Sequence, residues 1–77
     1  SLMALSKKQN KRLGAILSVM FEEDTPKEHI QELVSAGFVD KEGDNVSITP
    51  LGLNEKNRLC TLSGLNIMYS SEKKEDN

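Results

Sequence analysis

Apolar residues recur at Leu13, Ile16, Leu17, Met20 and Phe21, the i, i+3, i+4, i+7, i+8 spacing of one helix face. Ser6-Lys7-Lys8-Gln9 precedes them as a capping-box pattern. The Ser hydroxyl accepts from the Gln backbone N–H, and the Gln side chain reaches back to the N-cap. A first helix is therefore expected from residue 7 to residue 21, with Lys8, Lys11 and Arg12 off the stripe and facing water. Gly14 lowers its propensity by about 1 kcal/mol relative to Ala; it either permits close packing or has no role. Thr25-Pro26-Lys27-Glu28 has the composition of a second start, with Thr as N-cap, Pro at the first helical position and Glu closing the box. Ile30, Leu33 and Val34 form the stripe behind it. Gly37 suits the left-handed position that ends a helix, with Phe38 folding back onto Leu33. A helix over about 26–36 follows, joined to the first by a turn of about four residues, short enough for a helix–turn–helix corner.

Alternation then replaces helical spacing. Phe38-Val39-Asp40-Lys41 and Val46-Ser47-Ile48-Thr49 flank a polar Glu42-Gly43-Asp44-Asn45 loop, which reads as an antiparallel hairpin. Pairing Lys41 with Val46 sets Val39 opposite Ile48 on one face. Two strands alone are marginal, so the ribbon must lean on the helices. Thr49-Pro50 repeats the cap-plus-proline start, and a third helix is expected from 50 to about 63, stopped by Gly64. Its stripe of Leu53, Leu59, Cys60 and Leu62 is poor, diluted by Gly52 and two asparagines. Leu65-Asn66-Ile67-Met68-Tyr69 reads equally as a short strand or as continued helix. Residues 1–2 look like an expression remnant before Met3, residues 3–69 form a single domain, and 70–77 are polar enough to be disordered.

Length and composition narrow the possibilities. A chain of 77 residues with 36% hydrophobic and 4% aromatic residues has a thin core of Leu, Ile, Val and Met, so a second subunit would help to complete it. No apolar run approaches the roughly 20 residues of a membrane span. A single cysteine, Cys60, excludes a disulfide within the chain and suits a reducing cytoplasm. It reads as a small core residue rather than a nucleophile. One His and one Cys cannot build a zinc site, and His29 reads as a partly exposed surface residue. Met3, Met20 and Met68 read as packing. No metal, cofactor or catalytic set is expected, and the chain is read as non-enzymatic.

The net charge of −2 conceals two opposed segments. Residues 1–21 carry Lys7, Lys8, Lys11 and Arg12 and no acid, whereas residues 22–48 carry eight acids against Lys27 and Lys41. Only the first of these segments suits phosphate, whose binding is driven by neutralisation and counterion release.

The order of elements, and in particular Glu32-Leu33-Val34-Ser35-Ala36-Gly37-Phe38-Val39, a wing tip at 40–45 and Ile48-Thr49-Pro50-Leu51-Gly52, resembles the winged helix–turn–helix superfamily of bacterial regulators. The resemblance covers roughly residues 28–60. It implies an α+β domain, helix–helix–hairpin–helix, with one N-terminal helix fewer than such domains usually have and a further C-terminal element at 65–69. It also implies DNA binding in transcriptional control, with the second helix in a major groove and the hairpin beside the backbone.

Under that reading the nucleic-acid contacts would be Lys7, Lys8, Lys11, Arg12, Lys27, Gln31 and Lys41. Gln31 suits adenine and Lys27 guanine or phosphate. Glu28, Glu32, Asp40, Glu42 and Asp44 oppose phosphate at the second helix and wing, so DNA binding should be weak and carried by the first helix. The rival reading is a protein-interaction module on the same scaffold, its acidic face meeting a basic partner. The surplus apolar residues Leu65, Ile67, Met68 and Tyr69 offer an interaction surface for a homodimer under either reading.

Overall fold

The structure is a computed structural model and describes residues 4–64. Three helices and a two-stranded antiparallel hairpin follow one another as α1 (Lys7–Met20), α2 (Lys27–Ser35), β1 (Val39–Glu42), β2 (Asn45–Ile48) and α3 (Pro50–Ser63). This is a small α+β arrangement in the order the sequence pattern predicts. The expectations for residues 1–3 and 65–77, including the apolar segment Leu65, Ile67, Met68 and Tyr69, lie outside the described residues. Among the described residues, no helix is long and apolar enough to cross a membrane.

α1 starts as its capping box predicts. Ser6 Oγ accepts from the Gln9 N–H at 3.1 Å, and Gln9 Oε1 accepts from the Ser6 N–H at 2.9 Å. The helix contacts α2, β2 and α3, which makes it the central element. Ala15, Ile16, Val19 and Met20 pack with Leu33 of α2 and Val39 of β1. One turn earlier, Leu13 packs with Leu59 and Cys60 of α3, and Leu17 touches both clusters. Phe21 departs from expectation and is 54% exposed. The helix ends at Met20, and Glu22 turns into the left-handed region at φ 56°. Once the backbone leaves the helix, the 3.6-residue spacing no longer carries Phe21 onto the buried face.

α2 corrects two further expectations. Pro26, not Thr25, is its N-cap: the Pro26 carbonyl accepts from the His29 and Ile30 N–H groups, at 3.0 and 3.1 Å. The Thr25 hydroxyl donates backwards to the Glu23 carbonyl at 3.2 Å, and no side chain caps this helix. Val34 is 40% exposed rather than buried, which leaves Leu33 as the only buried residue of α2, with Ile30 partly covered. The C-terminus follows the predicted Schellman pattern. Gly37 sits at φ 83°, the Phe38 N–H donates to the Leu33 carbonyl at 2.8 Å, and the Gly37 N–H donates to the Val34 carbonyl at 3.0 Å.

The hairpin adopts the expected register, Val39 opposite Ile48 and Lys41 opposite Val46. The strands run further into the loop than the polar sequence implied, because Glu42 pairs with Asn45. Only Gly43 and Asp44 remain in the turn, and Gly43 at φ 59° supplies the positive first dihedral of a type II′ hairpin.

Thr49 ties three elements together. Its N–H donates to the Phe38 carbonyl at 3.0 Å, its hydroxyl donates to the Gly37 carbonyl at 2.6 Å, and its Oγ1 accepts from the Gly52 N–H at 3.0 Å. Gly52 is required by the closeness of this join. A Cβ there would collide with the Phe38 carbonyl and lie 2.9 Å from Ile48 Cγ1. The Thr-Pro-x-Gly sequence is thus explained by packing: Thr caps α3, Pro opens it, and Gly lets it press on the strand entrance. α3 ends at Gly64 in the left-handed region, as expected.

The face that α3 buries differs from the predicted stripe. Leu59 and Cys60 are buried, but Leu53 and Leu62 are only half-buried. Lys56 has no exposed area at all. The true stripe is Gly52, Lys56, Leu59 and Cys60. A lysine therefore lies at the centre of the buried face.

Candidate nucleic-acid interface

The seven polar residues expected at a nucleic-acid surface separate into two groups. Lys8, Lys11 and Arg12 come together on the N-terminal half of α1, along a groove of about 300 Å³ between α1 and α2. His29 and Glu32 of α2 line its other side, and Ala15, Leu33 and Phe38 supply apolar surface. Lys8 and Lys11 are exposed and His29 is half-buried. Lys7 is exposed at the first position of α1.

The other candidates lie elsewhere. Lys27 is exposed at the start of α2. Gln31 is exposed in a shallow depression shared with Glu28, Glu32 and Ser35. Lys41 projects from β1 among Asp40, Glu42, Asn45 and Ser47, and its Nζ donates to the Gly43 carbonyl at 2.7 Å. The outer face of α2 and the hairpin are therefore acidic in three dimensions as well as along the chain.

Arg12 has a role that sequence did not reveal. Its guanidinium carbon lies 5.5 Å from the centre of the Phe38 ring, and Nη1 donates to Glu55 Oε2 at 2.6 Å. Glu55 also accepts from Arg58, Nε to Oε1 and Nη2 to Oε2, both at 2.9 Å. The Glu55 side chain is only 11% exposed. Its carboxyl is held below the usual range, chiefly by the Arg58 hydrogen bond and further by Arg12, against the opposing effect of burial. The Arg58 guanidinium is correspondingly held above its ordinary value by Glu55. Arg12 thus fastens α1 to α3 and is less free to meet phosphate than Lys8 and Lys11. The i, i+3 spacing of Glu55 and Arg58 was a usable local signal. Arg12 lies 43 residues from Glu55, and no local pattern links them.

Among the described residues, no group of three or more His, Cys, Asp or Glu side chains is placed to hold a metal ion. Cys60 is a free, buried thiol. No family model, curated protein or solved structure matches this chain.

Proposed function

We propose that this chain is a non-enzymatic, winged-helix-like domain that binds nucleic acid weakly through its backbone phosphates, in the service of transcriptional control. The element order supports the scaffold, with the hairpin entered directly from α2 and locked to α3 by Thr49. The observation that carries the binding mode is the pair Lys8 and Lys11 beside His29 on the α1–α2 groove. Contacts of this kind position a protein on a duplex without reading its sequence. Gln31 and Lys27 add little, because Glu28 and Glu32 share their helix and would have to approach the same phosphates. A reduced, buried Cys60 agrees with a cytoplasmic setting.

Titration of labelled duplex DNA, followed by fluorescence anisotropy over a range of salt, tests this. Affinity should fall steeply with salt, and Lys8→Ala with Lys11→Ala should weaken binding to all sequences alike. Each lost phosphate contact should flatten the slope of log affinity against log salt by about 0.9. Absence of binding at low salt rejects the proposal. Loss of sequence preference in Lys27→Ala or Gln31→Ala, with Lys8 and Lys11 dispensable, would make α2 a true recognition helix instead.

A second reading, a protein-interaction module, draws on a different observation. Leu51 is 53% exposed and Val34 is 40% exposed, and Leu51 Cδ2 lies 3.4 Å from where a Gly37 Cβ would sit. Exposed apolar side chains near the end of α2 suit a protein surface better than phosphate. Failure of the DNA titration favours this reading.

A further inference from the structure

The charges at the two ends of α1 add to its helix dipole instead of offsetting it. A helix carries partial positive charge at its N-terminus and partial negative charge at its C-terminus, so stability favours acids first and bases last. α1 has no acid in its first turn and no base in its last. Lys7, Lys8 and Lys11 open it, and Glu22, Glu23 and Asp24 follow it directly. The fold strengthens the negative pole by bringing the hairpin tip to it. Asp44 joins Glu22, Glu23 and Asp24 around a cleft of about 380 Å³ whose apolar surface is Val19, Ile30 and Val46.

These poles cannot meet within one molecule, because a helix of 14 residues holds them about 20 Å apart. We propose that the acidic cleft receives the lysine-bearing start of α1 from a second copy of this chain. Each copy then supplies the charge that the other's helix end lacks, cations at a C-terminal pole and carboxylates at an N-terminal one. The apolar surface of the cleft accepts the lysine methylene stems while their ammonium groups meet the carboxylate rim. Made in both directions between two antiparallel copies, the contact closes a symmetric pair; made in one direction, it runs on from copy to copy. It uses the lysines that the proposed phosphate contacts also use, so nucleic acid and a second copy would compete for them.

Sedimentation equilibrium of the full chain at low and high salt tests this, with circular dichroism to confirm folding. Mass should rise with concentration at about 20 mM salt and return to the monomer at about 500 mM, where screening acts over a few ångströms. Lys8→Glu/Lys11→Glu and Glu23→Lys/Asp24→Lys should each be monomeric alone. An equimolar mixture of the two should associate again, since each retains the pole that the other has lost. Both variants should also melt at higher temperature than the parent, because their charges now agree with the dipole. A parent that stays monomeric at low salt overturns the proposal. So does association that survives both charge reversals, which would place the contact on an apolar surface elsewhere.

Discussion

Gly14 and Gly52 are both helical glycines, and alanine should affect them in opposite directions. Nothing lies within 4 Å of a Cβ built on Gly14, so Gly14→Ala should stabilise α1 by about 1 kcal/mol through propensity alone. Gly52→Ala must displace the Phe38 carbonyl and should cost about 3 kcal/mol. Chemical denaturation of the two variants checks both signs. Glu55 carries a prediction in pH. Its carboxyl is held down by Arg58 and Arg12 in the folded state, so the stability it adds is complete above the ordinary carboxylate value. That stability is lost as pH falls through that value towards the lower folded one. Glu55→Gln should therefore be less stable than the parent at neutral pH, by about 1 kcal/mol. The gap in melting temperature should close on acidification below about pH 4. A gap that persists unchanged in acid would mean that Glu55 acts by packing.

At the level of elements, local chemistry was a good guide where one side chain decides the outcome. Ser6 with Gln9, Gly37, Gly43 and Thr49 each impose a cap or a turn by their own hydrogen bonds or dihedrals, and each does so here. The start of α2 differs from the pattern because the helix begins one residue later than the Thr-Pro pair implies, with Pro26 as N-cap and Thr25 outside it, its hydroxyl donating to Glu23. Phe21 was misread because the stripe rule assumes a helix that has already ended. Thr49 is the join on which the hairpin and α3 both depend. Thr49→Val keeps the shape but removes the N-cap acceptor and the bond to Gly37, and should cost about 1–2 kcal/mol. Thr49→Ser should recover most of that loss, and thermal melts of the pair separate hydrogen bonding from packing.

At the scale of the whole molecule, what sequence could not disclose is what distant segments do to one another. Lys7, Lys8, Lys11 and Arg12 read as the cationic set, but nothing local indicates that Arg12 is drawn to Glu55 and Phe38. Nor did the acidic run at 22–24 indicate that Asp44 would join it. Lys56 is the sharpest case. A charged residue beside Leu59 and Cys60 reads as surface, yet Lys56 is fully buried. That enclosure makes Lys56 a built-in clock for opening of the domain. An amine-acetylating reagent in excess should label the exposed Lys7, Lys8, Lys11, Lys27 and Lys41 quickly. It should reach Lys56 only as often as the fold opens. The rate at which its mass tag appears, read by peptide mass spectrometry, would measure the opening equilibrium without any denaturant. Labelling of Lys56 as fast as that of Lys27 would mean that this face of α3 is not closed in solution.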